Sequence, residues 1–255
     1  MTSSSLKARL FVEQNLVADD PLTLPKGPSH YLRNVLRLHE GDRIGLFNGV
    51  HGEWETEITT IRKREIEVCV KSCIRNQCSP PDIWLVFAPI KRLRIDFIAQ
   101  KATELGASML WPVFTEHTAV GRINLERLRS NAIEAAEQSD RLTVPEIGEP
   151  TEFEDLLKKW PEERFLFCCD ETGGGKPILQ EFQKHTGPCG LLIGPEGGFS
   201  NSELDQLDKL SNVCRVSLGG RVLRSDTAAF AALACWQASV GDWNIPSEQI
   251  IEYGC

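Results

Sequence analysis

The chain has 255 residues, of which 41% are hydrophobic, with 28 basic and 36 acidic side chains and a net charge of −8. That is the profile of a soluble globular protein, long enough for two unequal domains. It excludes a membrane-spanning chain, since no apolar run nears the ~20 residues a bilayer helix needs, and it argues against indiscriminate coating of nucleic acid.

The chain opens Met1-Thr2-Ser3-Ser4-Ser5-Leu6-Lys7. This stretch lacks the apolar segment of a secretory signal, so a cytoplasmic location is expected. Residues 1–75 read as β-rich. A short helix from Ser29 to Leu38 is predicted among the strands, with Ser29 as its N-cap. On it, His30, Arg33 and Arg37 fall at i, i+3 and i+7 and would form one basic face. That face suits phosphate contacts and equally suits plain solvation. Ile44 and Leu46 alternate ahead of a turn at Asn48-Gly49, then Trp54, Thr56 and Ile58 alternate, then Ile66, Val68 and Val70. Residues 76–82, Asn-Gln-Cys-Ser-Pro-Pro-Asp, break the pattern, because two prolines cannot continue a ladder. They are read as a linker.

From residue 83 onward short apolar runs alternate with amphipathic ones. Strands are predicted at residues 83–88, 109–114, 165–169, 190–193 and 214–218. Helices are predicted at residues 94–105, 125–139, 152–160, 177–184, 201–210 and 227–240. Such alternation implies a parallel sheet covered on both faces, with ligands at loops that follow the carboxyl ends of strands. In the helix over 125–139, Leu125, Leu128, Ala132 and Ala136 face the core. The opposite stripe of Arg127, Asn131, Glu134, Gln138 and, beyond it, Arg141 is either a solvated face or an RNA contact.

The nine cysteines, Cys69, Cys73, Cys78, Cys168, Cys169, Cys189, Cys214, Cys235 and Cys255, include no CxxC pair. Cys69, Cys73 and Cys78 do not have usual zinc-ligand spacing, so buried reduced thiols are expected and no metal. Gly173-Gly174-Gly175-Lys176 fails as a phosphate loop, because Asp170 and Pro177 stand where a Walker motif needs Gly and Ser or Thr. No dinucleotide-binding, serine-hydrolase or zinc-protease motif is present.

Two loops carry the positive signal. Leu191-Leu192-Ile193 leads into Gly194-Pro195-Glu196-Gly197-Gly198, and the next helix opens with a Ser200–Glu203 capping box and a Phe199–Leu204 staple. Val216-Ser217-Leu218 leads into Gly219-Gly220-Arg221, then Val222-Leu223-Arg224-Ser225-Asp226-Thr227 and an alanine-rich helix. Each loop could be a plain tight turn. If their strands lie side by side, the two would wall one pocket, with glycines allowing close backbone approach to a ligand. The alanines of the last helix suit either close packing or helix propensity alone.

These two segments resemble the signatures of the RsmE-type 16S ribosomal RNA (uracil-N(3))-methyltransferases of the SPOUT superfamily. Gln100-Lys101-Ala102-Thr103-Glu104-Leu105-Gly106, Ala135-Ala136-Glu137-Gln138-Ser139 and His30-Tyr31-Leu32-Arg33-Asn34-Val35-Leu36-Arg37 extend the likeness over nearly the whole chain. The resemblance implies a PUA-like RNA-binding β-barrel over 1–75 and, over 83–255, an α/β methyltransferase domain with a trefoil knot, working as a homodimer. It implies S-adenosylmethionine as cofactor and 16S rRNA of the small ribosomal subunit as partner. By matching position, Gly194, Glu196, Gly197, Gly198, Leu218, Gly219 and Leu223 would line the cofactor pocket, with a further wall near Asp170 and Glu171. Arg224 or Arg221 would stabilise charge on the target uracil. Glu196, Asp226 and Glu137 are candidates for its base, and His30, Arg33, Arg37 and Arg141 for RNA contacts. The family usually has Pro where this chain has Gly220, Glu where it has Asp226, and Gly where it has Asp140. A SPOUT enzyme for another RNA site and a noncatalytic RNA-binding module are the alternatives.

The acid excess is local. Residues 142–214 hold 14 acidic and 6 basic side chains, whereas residues 1–75 hold 10 and 11. The acidic charge therefore lies away from the predicted basic helix, which favours selective over indiscriminate RNA binding.

Overall fold

A computed structural model describes residues 6–244; residues 1–5 and 245–255, Cys255 among them, lie outside it. The described chain forms two compact units, one running up to Ser79 and including Ala136–Thr143, the other comprising Pro80–Ala135 and Val144 onward.

The first unit is built on strands β1 (Arg9–Phe11), β2 (Pro21–Leu24), β3 (Arg43–Phe47), β4 (Glu53–Ile61) and β5 (Ile66–Arg75), with helix α1 (Lys26–His30) and a π-helical turn (Tyr31–Val35) between β2 and β3. The sheet order is β1-β3-β4-β5-β2, antiparallel except for the β1–β3 pair. The alternation read from sequence is the core: Ile44, Leu46, Ile58, Ile66, Val68 and Val70 are all fully buried. Each stabilises the sheet by about 1.5–3 kcal/mol. The β3–β4 connection is five residues, 48–52, in which Asn48 Oδ1 accepts the N–H groups of Val50 and His51 at 3.0 and 2.8 Å while Gly49 takes φ +80°.

The helix expected over 29–38 is displaced. It begins after Pro25, whose fixed φ suits a helix entry, and Ser29 is inside it. Ser29 is buried, donating its hydroxyl to Leu24 O and accepting from Ile66 N–H, so it pins the helix to the sheet rather than capping it. Arg37 lies past the helical residues at φ +55°. His30, Arg33 and Arg37 therefore do not form one helical face.

The second unit contains β6 (Ile83–Phe87), α2 (Arg92–Glu104), β7 (Met109–Phe114), α3 (Leu125–Gln138) up to Ala135, β8 (Glu146–Ile147), β9 (Thr151–Glu152), α4 (Phe153–Lys159), β10 (Phe165–Cys169), β11 (Lys176–Pro177), α5 (Ile178–Phe182), β12 (Cys189–Ile193), α6 (Asn201–Leu207), β13 (Val213–Ser217) and α7 (Ser225–Ser239), closing with a 3-10 turn (Asp242–Asn244). Its strands run β11-β13-β10-β12-β6-β7-β8, with β9 on β7, and every pairing is parallel.

Strand periodicity splits the interior in two. Leu85, Phe87, Phe167 and Leu191 belong to one buried cluster, and Val86, Leu166, Cys168 and Leu192 to the other. This explains why the strands are apolar throughout: both faces are covered. On α7, Ala229 and Ala232 are fully buried, which favours close packing as the role of its alanines.

The cysteines are only partly buried. Cys168, Cys169 and Cys189 lie in the interior, but Cys73 is exposed and Cys69, Cys214 and Cys235 are half-buried; all seven are free thiols. The expectation of buried reduced thiols thus fails for Cys73, which is exposed near the end of β5, and for Cys78, which is disulfide-bonded. Among the described residues no cluster of His, Cys, Asp and Glu could hold a metal. No described helix is long and apolar enough to cross a membrane.

Candidate functional site

The strands β12 and β13, whose glycine loops carried the sequence signal, are not neighbours. β10 lies between them, so three loops rather than two leave adjacent carboxyl ends. They converge on a cavity of about 310 Å³, at the low end of the roughly 300–1,000 Å³ usual for small-molecule sites.

The loop after β12 is shaped by packing. A β-carbon on Gly194 would sit 2.9 Å from the Phe199 ring, and Gly198 has φ +69°. The capping box follows: Ser200 Oγ accepts from Glu203 N at 3.3 Å and Ser200 N donates to Glu203 Oε2 at 2.8 Å. Phe199 and Leu204 share a buried cluster. The other carboxylate oxygen of Glu203 accepts Glu116 N–H at 2.9 Å, tying the loop to the segment after β7.

The loop after β13 turns at Gly219, with φ +105°, and Ser217 Oγ accepts its N–H at 3.2 Å. β-Carbons on Gly219 and Gly220 would meet nothing within 4 Å, so both face open space on the cavity wall.

The loop after β10 is anchored by Asp170. Its buried carboxylate accepts Thr172 N at 2.8 Å and two bonds from Arg215, Nε at 3.0 Å and Nη2 at 2.6 Å. Burial pushes this carboxyl up, but the Thr172 and Arg215 hydrogen bonds outweigh it and hold it below the usual carboxylate range. Cys169, also on the wall, is a neutral thiol, because burial pushes it up to about 12.

Of the residues nominated from sequence, Gly194, Glu196, Gly198, Leu218, Gly219, Leu223, Arg221 and Arg224 line this cavity, as do Asp170 and Glu171. Gly197 does not; it is exposed and packs on His117, whose Nδ1 is 3.1 Å from Gly197 O. Arg221 and Arg224 are exposed. Glu196 and Asp226 share one cation, Arg94, at 3.3 and 3.8 Å. Glu137 is committed elsewhere, accepting Phe11 N–H at 2.9 Å.

The RNA candidates all lie in the first unit. His30 and Arg37 are exposed. Arg33 donates to Arg62 O, Lys63 O and Asn34 Oδ1, and half-buried Arg141 donates to Thr143 Oγ1 at 3.2 Å. The polar stripe on α3 is partly consumed by α2: Arg127 pairs with Asp96 at 2.5–2.6 Å and Asn131 bonds Asp96 at 3.1 Å.

Sequence reasoning missed Arg94 and the walls from Thr172, Ile193 and Ala228. The strand-end rule marks the first two loops, but Arg94 comes from a helix 102 positions away from Glu196, beyond any local pattern.

Residues 77–237 match the family model described as RNA methyltransferase domain, and residues 27–70 match the RNA methyltransferase PUA domain. Ribosomal RNA small subunit methyltransferase E of Rickettsia conorii is 32% identical over 89% of this chain and 93% of its own. Its namesake from Synechocystis is 32% identical over 89% of this chain and 76% of its own. A solved ribosomal RNA small subunit methyltransferase E from Neisseria gonorrhoeae, bound to S-adenosyl methionine, is 30% identical with a TM-score of 0.84, covering 93% of this chain and 99% of that one. A Legionella pneumophila methyltransferase in complex with the same cofactor gives 30% and 0.84, covering 92% and 98%.

Proposed function

The chain belongs to the RNA methyltransferase family that includes the ribosomal RNA small subunit methyltransferases E, and on that premise we propose that it methylates N3 of a specific uracil in 16S rRNA, using S-adenosylmethionine. The observation that carries this reading is the convergence of three strand-end loops on one cavity that Arg221 and Arg224 also line.

The cavity fits the cofactor. Ile193, Leu218, Leu223 and Ala228 offer apolar surface for a flat heterocycle, Gly219 and Gly220 leave open space on the wall, and Glu171 and Glu196 bring negative charge to a cationic ligand. When bound, S-adenosylmethionine supplies a methyl group on a sulfonium sulfur, which leaves as a neutral thioether.

The chain's own residues do the rest. N3 lies on the pairing edge of uracil, so the base must be unpaired or flipped to enter. As the N3 proton leaves, negative charge spreads onto the ring carbonyls, and Arg224 or Arg221 stabilises it. Glu196 and Asp226, which lie 3.3 and 3.8 Å from Arg94, are the candidates to take the proton. His30, Arg33, Arg37 and Arg141 are assigned to RNA contacts, the first three in a PUA-like domain over residues 1–75, which residues 76–82 join to the methyltransferase domain over 83–255. With rRNA as substrate, the enzyme works in the cytoplasm.

Two further elements belong to this reading. One is the trefoil-knotted threading of the methyltransferase domain, supported by β13, which inserts between β10 and the earlier strand β11. The other is a homodimer through the α2–α7 face, where Leu93 is 82% and Phe97 45% exposed and Phe97 meets Phe230 edge-on at 5.4 Å. Leu93→Asp with Phe97→Asp should yield a folded monomer by light scattering; an unchanged dimer would place the interface elsewhere.

Nucleoside mapping of small-subunit rRNA from a deletion strain tests the function. Loss of one N3-methyluridine, restored by the gene, is expected; an unchanged modification pattern would reject it.

A further inference from the structure

The charged groups on the cavity wall are not equivalent. Asp170 is neutralised by Arg215 at 2.6 Å, and Glu196 lies 3.3 Å from Arg94. Glu171 has neither kind of partner: among the described residues no hydrogen bond or ion pair reaches its carboxylate.

Its place is nevertheless defined. It follows the anchored Asp170, and Thr172 after it is held by the Asp170 carboxylate. Its Oε1 sits against Gly198, where a β-carbon would collide with it. The carboxylate thus bridges from the loop after β10 to the glycine loop after β12, on the cavity wall. An uncompensated carboxylate there favours a cation, because attraction between opposite charges is undiminished by a competing ion pair.

We propose that Glu171 reads a cationic centre of the bound cofactor, which rests on the function assigned above. Two centres are available on S-adenosylmethionine, the sulfonium and the α-ammonium. At neutral pH the methyl donor carries both, its demethylated product S-adenosylhomocysteine only the ammonium, and methylthioadenosine neither. If Glu171 meets the sulfonium, the loss of that charge on methyl transfer weakens product retention and helps exchange product for fresh donor.

The test is calorimetric titration of the full-length wild type and Glu171→Gln with all three ligands, with thermal melting to check folding. At a partly exposed site an ion pair of this kind corresponds to about fivefold in affinity. Weakening of S-adenosylmethionine alone by about that factor assigns the sulfonium. Similar weakening of S-adenosylmethionine and S-adenosylhomocysteine, with methylthioadenosine unchanged, assigns the ammonium. Unchanged affinities, or an equal loss for methylthioadenosine, would overturn the charge-reading role. A wild type that binds none of the three would instead reject the cofactor assignment itself.

Discussion

Arg94 Nη1 donates to Glu196 Oε1 at 3.3 Å, joining a helix to a glycine loop 102 positions later in the chain. The same guanidinium stands 3.8 Å from Asp226 at the start of α7. It is therefore a strut between two elements that flank the cavity. The three side chains are 18–42% exposed, so solvent limits each pair to about 1 kcal/mol or less. Arg94→Ala should weaken S-adenosylmethionine binding about fivefold by calorimetry, with Arg94→Lys retaining part of it. Wild-type affinity in both variants would show that the strut does not shape the cavity.

Asp170 sets a pH dependence. Its carboxyl is held below the usual range when folded, so the unfolded chain binds its proton more readily. The stability it contributes is complete above the unfolded value of about 3.9 and is lost as pH falls through the lower folded value. Asp170→Asn should be less stable than wild type at pH 7, and the gap should close as denaturation is repeated below about pH 4. A gap that stays constant down to pH 3 would mean that Asp170 is not held as a carboxylate.

Glu203 does more than cap a helix. It satisfies Ser200 N–H and Glu116 N–H with its two oxygens while buried. Ser200→Ala removes one cap acceptor and should cost about 1 kcal/mol. Glu203→Ala strands two backbone donors and should cost about 2–4 kcal/mol in the same denaturant titration. Equal losses would reduce Glu203 to an ordinary capping residue.

Much of this was legible in the sequence because the signals were local. Met109–Phe114 and Phe165–Cys169 are strands with the predicted bounds, and Ser200 with Glu203 makes the predicted capping box. Short strands were lost: Arg9–Phe11 and Lys176–Pro177 are too brief to show periodicity. Ser29 misled because a serine ahead of an apolar run reads as a cap, whereas here a buried hydroxyl bonds both neighbours. The strand order was not legible at all. Placing β10 between β12 and β13 is a tertiary outcome, and it puts Asp170 and Glu171 on the wall that only the family resemblance had implied. Gly197 shows the converse, a motif glycine spent on packing against His117.

The most direct measurement is methyl transfer by the purified protein from isotope-labelled S-adenosylmethionine to small ribosomal subunits, followed by digestion to nucleosides. Label is expected in N3-methyluridine at one site, with little in random RNA at moderate salt. Arg224→Ala should bind the cofactor normally yet transfer on the order of a hundredfold more slowly. Label in a different nucleoside, or none at all with cofactor bound, would contradict the proposed function.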